Sequence, residues 1–239
     1  MPKTRRVAIM IDLQWPLKYH QEIFAGTQRY AEQRGNWECQ LDLHAGESLR
    51  TGRAGAAYDG VIARATSRLA ARARRARVPV VNVWLNSPVK NVPSVSYDVE
   101  TAARMAAEHL MARGLSHFAY LGYLGDRVSK LEIAAFRATL SAAGFVCLHR
   151  LTTNDAGKNP ASWKKFRAGL AQWIDAWPRP IGVFVSHDVL ARYLADACLR
   201  RNVRVPDDAA LVSTYNEPAI CLHPKPALSS IDFGCEEVG

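Results

Sequence analysis

Residues 179–217 read RPIGVFVSHDVLARYLADACLRRNVRVPDDAALVSTYNE, and this segment has the clearest fold signal in the chain. It begins with a short apolar run, Ile181–Ser186, which is typical of a strand buried on both faces. Apolar residues then recur at helical spacing between Val189 and Cys198, and a second apolar run covers Ala209–Tyr215. This order of strand, helix and strand predicts two parallel strands joined by a crossover helix.

Polar residues follow both of these predicted strands. His187-Asp188 comes directly after the first strand, and Asn216-Glu217 follows the second. We expect Asp188 to be the N-cap of the helix between them, because its carboxylate can accept the free N–H groups of the first turn. Since ligands bind open α/β sheets at the carboxyl ends of the strands, the two clusters predict a ligand site.

The same alternation of strand and helix extends along the whole chain. Further apolar runs predict strands at Val7–Ile11, Trp37–His44, Asp59–Arg64, Val78–Trp84, Ser94–Tyr97, His117–Gly122, Phe145–Leu151 and Leu228–Ile231. Helical patterns lie between them at Tyr19–Arg34, Ser67–Arg77, Glu100–Arg113, Ser129–Ala143 and Ala161–Trp177. The pattern predicts the α/β class, with two tandem Rossmann-like lobes that contain parallel sheets. We expect the first lobe to cover residues 1–113 and the second to cover residues 114–227.

Composition and cysteine spacing exclude several classes of protein. No apolar run approaches the ~20 residues needed to cross a bilayer, and Val7–Ile11 is too short for the core of a signal peptide. We therefore expect a cytoplasmic protein without a membrane partner. The five cysteines are widely spaced and form no C-x-x-C motif, so we expect reduced thiols rather than a zinc site or a disulfide framework.

The chain is basic, with a net charge of +9, and five arginines fall within Ser67–Arg77. One interpretation of this segment is a solvated helix face, with Leu69 and Ala73 turned inward. The alternative is a nucleic-acid-binding patch, but the segment contains no aromatic residue for base stacking. We favour the solvated helix.

Polar and aromatic residues cluster where the predicted strands end. The residues that we predict to bind a ligand are Asp12, Tyr19, His20, Arg64, Trp84 and Asp98 in the first half, and His187, Asp188 and Asn216 in the second. Carboxylates, an amide and a guanidinium bind vicinal hydroxyls by charge-assisted hydrogen bonds, and aromatic rings stack on the apolar face of a sugar. If both lobes turn these strand ends inward, the residues line one cleft that suits a small polyol or sugar.

Simpler interpretations of the same residues stay open. Asp98 and Asp188 could be helix N-caps alone, although one carboxylate can cap a helix and bind a ligand. Trp84 and the nearby Trp15 could pack in the core or in a lid, and His187 could be an ordinary loop histidine.

Motifs typical of enzymes are absent from the sequence. It contains neither a G-x-S-x-G elbow nor a Walker phosphate loop, and Gly122–Gly125 does not match the dinucleotide fingerprint G-x-G-x-x-G. Glu108 and His109 lack further residues at metal-ligand spacing. We therefore expect no catalysis, no cofactor and no bound metal.

Several segments, taken in order, carry a family resemblance. They are Val7–Asp12, Asp59–Arg64, Val78–Val81, Val95–Asp98 with Glu108–Leu110, His117–Gly122, Val185–Asp188, and Val203–Asn216 with Leu228–Ile231. Together they resemble the effector-binding module of LacI/GalR-type regulators, and most closely that of xylose-operon regulators of the XylR kind. The resemblance implies a type I periplasmic-binding-protein-like fold, a small, pentose-like carbohydrate effector between two lobes, and a homodimer.

The chain departs from the family pattern within the implied ligand site. Glu132 stands four residues before Phe136, where the family commonly has an arginine. His187 stands where asparagine is usual, and Asn216 where aspartate is usual. We include Glu132 among the predicted ligand-binding residues.

The resemblance also implies a different end of the chain. After Leu228–Ile231 the family chain re-enters the first lobe, whereas this sequence ends at Gly239. We therefore expect residues 228–239 to form a truncated return crossover that completes part of the first lobe. Operator DNA would be bound only through a C-terminal AraC-type domain that this chain lacks.

The preferred hypothesis from the sequence is the ligand-sensing domain of a sugar-responsive, xylose-type transcriptional regulator. One alternative is a stand-alone solute-binding or sugar-binding protein, although no signal peptide is found. The other alternative is a cytoplasmic enzyme that acts on sugars or nucleotides, although no phosphate loop or convergent acid–base pair is found.

Overall fold

The computed structural model describes residues 4–15, 17–49 and 57–239. It divides into two compact units: unit 1 contains the residues up to Tyr97 together with Gly234–Gly239, and unit 2 contains Asp98–Phe233. Each unit has its own parallel β-sheet with helices, so the predicted α/β class is confirmed.

Unit 1 is built around a four-stranded sheet. Its elements are β1 (Arg5–Met10), α1 (Tyr19–Arg34), β2 (Trp37–Leu41), α2 (Ala45–Ser48), β3 (Gly60–Ala63), α3 (Ser67–Ala76) and β4 (Val80–Asn82). The strand order is β2-β1-β3-β4, and Val7 of β1 lies opposite both Cys39 and Gly60. Ala8 and Ile9 are fully buried because β1 has a strand on each side and is covered on its faces.

Two predicted strands of unit 1 differ in the structure. The strand predicted over Trp37–His44 is shorter, because the Asp42 carboxylate turns the chain by accepting the N–H of His44 and the hydroxyl of Tyr58, each at 2.8 Å. The strand predicted over Ser94–Tyr97 is reduced to one parallel bridge, from Ser94 to Asn82. Residues 94–96 are exposed, so no burial of side chains favours a full strand there.

The arginine-rich helix α3 is solvated, as predicted. Leu69 and Ala73 are buried, whereas Arg68 and Arg72 form ion pairs with Glu47 of α2 at the surface. Exposed ion pairs of this kind contribute little to stability, so the buried apolar residues hold the helix in place.

The five cysteines are free, and all but Cys39 are buried. None of the described helices combines the length and the apolar character needed to cross a bilayer. Within the same described ranges, no three His, Cys, Asp or Glu side chains are grouped as metal ligands.

Unit 2 contains a five-stranded parallel sheet. Its elements are α4 (Val99–Met111), β5 (Phe118–Tyr123), α5 (Arg127–Ala142), β6 (Cys147–Thr152), α6 (Pro160–Asp175), β7 (Ile181–Val185), α7 (Asp188–Arg200), β8 (Ala209–Thr214), α8 (Pro218–Cys221) and β9 (Ser229–Ile231). The strand order is β6-β5-β7-β8-β9. The order reverses between β5 and β7, where an open sheet of this type leaves a crevice.

The strand β7 is buried on both faces, as its apolar run predicted. Val183 and Val185 pack in one apolar cluster with Leu194 of α7. Phe184 packs on the opposite face with Phe136 of α5 and with residues of α4. The alternation of a strand therefore divides the core of unit 2 into two layers, one on each side of the sheet.

The division into units differs from the boundary predicted after residue 113. The helix α4 belongs to unit 2, because Ala103, Ala106 and Leu110 pack with Phe118 and Phe184 in the core of that unit. The amphipathic pattern of α4 specified a buried face, but it did not specify which sheet would cover that face.

The helix α1 is in close contact with the end of the chain. A 3₁₀ turn, Cys235–Val238, packs on α1 within unit 1. A side chain at Gly26 of α1 would overlap the carbonyl oxygen of Glu236, so only glycine allows this approach of two backbones.

We predict that Gly26→Ala destabilises the protein by about 1–3 kcal/mol, because the added methyl group overpacks against the backbone of Glu236. Urea unfolding followed by circular dichroism measures the change. Gly169→Ala is the matched control, because that glycine also lies in a helix and its nearest neighbour is the mobile end of the Arg150 side chain. A Gly26→Ala protein as stable as the wild type would contradict the packing of α1 on this turn.

Candidate functional site

In unit 1, aromatic rings surround an arginine at the carboxyl end of β3. The guanidinium carbon of Arg64 lies 4.9 Å from the ring centroid of Trp15 and 4.5 Å from that of Trp84. Both distances are within the range of cation–π attraction. We call the set Trp15, Tyr19, His20, Arg64 and Trp84 the Arg64 cluster. These five residues were all predicted or noted from the sequence, and the structure brings them together.

His20 positions the loop of the Arg64 cluster. Its ring is buried, and Nδ1 lies 2.7 Å from the carbonyl oxygen of Asp12. Burial lowers the pKa of His20, the Asp12 carbonyl opposes that change, and the Arg64 charge adds to it. The ring is therefore neutral at pH 7, and Nδ1 carries the proton because a carbonyl oxygen only accepts. Its ring contacts the rings of Tyr19 and Trp15, with centroids 4.4 and 5.4 Å away.

Asn82 holds the two loops that carry Arg64 and Trp84. Its side-chain oxygen accepts the N–H of Ala65 at 3.0 Å and that of Trp84 at 3.2 Å. Its amide nitrogen donates to the carbonyl oxygen of Trp84 at 3.0 Å. The sequence places Asn82 with the polar residues at the strand ends, because it is an asparagine at the end of a buried strand, but that pattern does not indicate its role as a link between the two loops.

Asp12 lies at the end of β1 and is exposed. Its carboxylate accepts the N–H of Gln14 at 2.9 Å, which closes a turn of the kind that aspartate favours. Asp12 is therefore accessible to a ligand, and it also shapes the loop before α1.

In unit 2, the structure gives Asp188 a different role from the predicted one. The side chain is fully buried, and its carboxylate accepts the hydroxyls of Ser213 at 2.5 Å and Ser230 at 2.6 Å. It also accepts the backbone N–H of Glu217 at 2.7 Å. These bonds tie the start of α7 to β8, β9 and the loop after β8, so Asp188 is a structural link and has no surface for a ligand.

His187, rather than Asp188, is the N-cap of α7. Its Nδ1 accepts the N–H of Val189 at 3.3 Å, and its ring lies 4.7 Å from that of Tyr215. Burial lowers the pKa of His187, and the nearby Asp188 and Asp126 oppose the change. A neutral ring that accepts at Nδ1 carries its proton on Nε2, which makes it a hydrogen-bond donor.

The loop after β8 is strained at two consecutive residues. Tyr215 and Asn216 have φ angles of 89° and 50°, a region that costs about 1–2 kcal/mol for most residues with a side chain and that asparagine occupies more readily. The hydroxyl of Ser230 accepts the N–H of Asn216 at 2.9 Å, and the Asn216 amide donates to Asp232 at 3.2 Å. Local strain of this kind is often found in functional loops, where contacts with the surrounding structure hold the backbone in an unfavourable conformation.

Asp98 is an exposed N-cap of α4, which agrees with one of its two interpretations. Its carboxylate accepts the N–H of Thr101 at 2.9 Å and the Thr101 hydroxyl at 2.6 Å. Hydrogen bonds from the Thr101 hydroxyl and N–H lower the pKa of Asp98, so the group is ionised at neutral pH.

Glu132 is buried in unit 2, in contrast to its predicted place among the ligand contacts. Its side chain is 0% exposed, and one carboxyl oxygen accepts the hydroxyl of Tyr120 at 2.7 Å. Burial raises the pKa of Glu132 to about 8, with the Tyr120 hydrogen bond opposing the change. Glu132 shares one face of α5 with Val128, Phe136 and Leu140, and this helical spacing was the signal in the sequence that it turns inward.

Comparison with known proteins agrees with this architecture. The sequence family described as a periplasmic binding protein-like domain matches residues 107–239. A xylose operon regulatory protein of Haemophilus influenzae is 25% identical over 147 residues, which is 62% of this chain and 38% of that protein. An HTH-type transcriptional regulator, GntR of Pseudomonas aeruginosa, is 33% identical over 148 residues, or 61% of this chain and 41% of that protein. The chain thus spans about two fifths of the length of these curated relatives.

Solved structures show the same fold. A structure described as the xylose-binding transcription activator xylR has a TM-score of 0.75 at 21% identity, and covers 99% of this chain and 60% of its own. A complex of the regulator CelR with cellobiose has a TM-score of 0.71 at 21% identity, and covers 99% of this chain and 75% of its own.

We predict that Asp188→Ala destabilises the protein by about 2–5 kcal/mol, because two serine hydroxyls and the Glu217 N–H lose their buried acceptor. The free energy of unfolding in urea measures the loss. Asp196→Ala on the same helix is the matched control, and its expected effect is within about 0.5 kcal/mol. Equal stability of the two variants would exclude the structural role of Asp188.

We predict that Glu132→Gln flattens the pH dependence of stability. The folded-state pKa is about 8 against an ordinary value of 4.5, so the unfolded chain releases a proton that the folded chain retains between these values. Wild-type stability therefore falls as the pH rises through this window, by up to about 1.4 kcal/mol per pH unit. Urea unfolding at several pH values from 5 to 8 measures the slope, and Glu108→Gln, at an exposed position of α4, should retain the wild-type slope. An unchanged slope in Glu132→Gln would contradict the raised pKa.

Proposed function

The chain belongs to the family of periplasmic binding protein-like domains, and on that premise we propose that it senses a small carbohydrate for a transcriptional regulator. The observation that carries the proposal is the Arg64 cluster at the carboxyl end of the unit 1 sheet. Two relatives, a xylose operon regulatory protein and the regulator GntR, support a role in transcription. The regulator CelR, whose solved structure is a complex with cellobiose, supports a sugar as the kind of ligand.

The chemistry of the Arg64 cluster suits a sugar ring. The guanidinium offers several N–H donors in one plane, which can bind adjacent hydroxyls or a ring oxygen. The indole faces of Trp15 and Trp84 flank it and can pack on the C–H face of a pyranose or furanose. Burial raises the pKa of Tyr19, so the phenol stays protonated and is a further donor.

Unit 2 offers complementary groups at the carboxyl ends of β7 and β8. The Nε2–H of His187 is a donor, and the side-chain oxygen of Asn216 is an acceptor. The ionised carboxylate of Asp98 accepts hydrogen bonds and is exposed. A neutral ligand with several hydroxyls matches this mixture of donors and acceptors. Because only a few side chains offer these groups, we favour a monosaccharide of pentose-like size.

The proposed role is binding without catalysis. A ligand that binds one conformation of the domain better than another shifts the population toward that conformation, and this shift is the signal. We further propose that the domain acts in the cytoplasm as a homodimer. Operator DNA is contacted by another domain of the regulator, and the resemblance to the XylR kind favours this arrangement.

We predict that isothermal titration with D-xylose, L-arabinose, D-ribose, D-glucose and cellobiose identifies a ligand. The affinity for that ligand falls at least tenfold in Arg64→Gln, because a charge-assisted hydrogen bond contributes about 1.5–3 kcal/mol. Arg75→Gln, an exposed arginine of α3, is the matched control and retains wild-type affinity.

A second variant tests the contribution of unit 2. His187→Gln keeps a hydrogen-bonding side chain but changes its geometry, and it is expected to weaken the same ligand at least fivefold. Loss of affinity in both variants would support a role in binding for each of the two residues, Arg64 and His187. An intact, folded wild-type protein that binds no sugar of the panel would refute the proposal, and turnover of a sugar would favour the enzyme alternative.

A further inference from the structure

Unit 2 contains an aromatic pocket that the proposed carbohydrate site does not use. It has a volume of about 360 Å³, and we call it the tyrosine pocket. Its principal lining residues are Tyr123, Asn154, Lys158, Phe166, Val189 and Tyr193. They come from β5, α6, α7 and the loop between β6 and α6, so the pocket is complete within one unit. Its volume is in the range that holds a small ligand.

The aromatic wall of the tyrosine pocket is fixed by its neighbours. Phe166 and Tyr193 are in edge contact, with ring centroids 5.8 Å apart. Trp163 stacks on Phe166 at 5.6 Å and contacts the edge of Tyr193 at 5.2 Å. Because Phe166 and Tyr193 also pack against the apolar core of unit 2, these rings form a preorganised surface for a flat ligand.

Two phenol groups at the pocket are without protein partners. In the ranges that the structure describes, neither the Tyr123 hydroxyl nor the Tyr193 hydroxyl makes a hydrogen bond. Burial raises the pKa of Tyr123 to about 12, and the nearby Tyr193 and Asp126 add to the change. The Tyr123 phenol therefore stays protonated and is available as a donor to a bound group.

One positively charged residue and no acidic residue line the pocket. Lys158 is the one charged residue among those that line it, and its ammonium forms no ion pair with any described residue. Asp155 on the same loop keeps its negative charge, but it is not among the residues that line the pocket, and its carboxylate accepts the hydroxyl of Thr153. The amide of Asn154 adds donors on the same loop.

From these observations we propose that the tyrosine pocket binds a small ring compound that bears an anionic group. The ring packs against Phe166 and Tyr193, and the anion is recognised by Lys158 with the phenol hydroxyls as further donors. The residues that line the pocket include neither His187 nor Asn216, although the N–H of Val189 in the lining donates to the His187 ring.

Ligand-observed NMR and isothermal titration with phenyl phosphate test the proposal on the full chain. Phenol supplies the ring without the charge, and inorganic phosphate supplies the charge without the ring. We expect saturable binding of phenyl phosphate, with phenol and inorganic phosphate each at least tenfold weaker. Equal affinity of phenol and phenyl phosphate would overturn the role of the anion, and equal affinity of inorganic phosphate would overturn the role of the ring.

Three variants locate the binding. Lys158→Gln is expected to weaken phenyl phosphate at least fivefold and Tyr193→Phe at least twofold. Lys165→Gln, an exposed lysine of α6 outside the pocket, is the matched control with unchanged affinity. The same loss in Lys158→Gln and Lys165→Gln would show binding by overall charge and overturn the proposal. Arg64→Gln should leave phenyl phosphate binding intact, so this result is independent of the carbohydrate proposal.

Discussion

The buried carboxylate of Asp188 fixes the strand ends on which the candidate site of unit 2 depends. Burying a carboxylate without partners is costly, and here two hydroxyls and one backbone N–H compensate for the lost water. One of these partners, the N–H of Glu217, directly follows the strained residues Tyr215 and Asn216. The link also holds the first residue of α7 in place, and His187 precedes it. The partly buried groups at this edge are thus positioned by one internal side chain.

Unit 1 achieves a similar result with a neutral side chain. Asn82 has both donors and acceptors, so a single amide connects Ala65 to both backbone groups of Trp84 without burying a charge. The charged group of the Arg64 cluster, the Arg64 guanidinium, packs against the indole rings of Trp15 and Trp84 and is not buried in the core. In each unit a rigid internal link supports a more exposed group that can bind a ligand, which is the arrangement that recognition of a small polar molecule requires.

Much of the fold follows from local patterns, and the parts that do not follow depend on contacts distant in sequence. The apolar run Ile181–Ser186 and the helical spacing after it specify a buried strand and its crossover helix, and the structure contains both. Whether α4 covers the first or the second sheet depends on Phe118 and Phe184, which its own pattern does not reveal. Sequence position likewise placed Asp188 at a strand end, but only the distant Ser213 and Ser230 make it an internal group. For Glu132, the helical spacing with Val128, Phe136 and Leu140 indicates an inward position, whereas the family position indicates a ligand contact, and the structure agrees with the spacing.

Because two indole rings flank Arg64, the fluorescence of the protein depends on what binds there. Two of the six tryptophans, Trp15 and Trp84, are within 5 Å of one guanidinium, and the emission of an indole depends on the charge and water beside it. A molecule that engages Arg64 changes the surroundings of both rings at once. The intrinsic fluorescence of the protein therefore reports occupancy of this position directly, without a dye or a label.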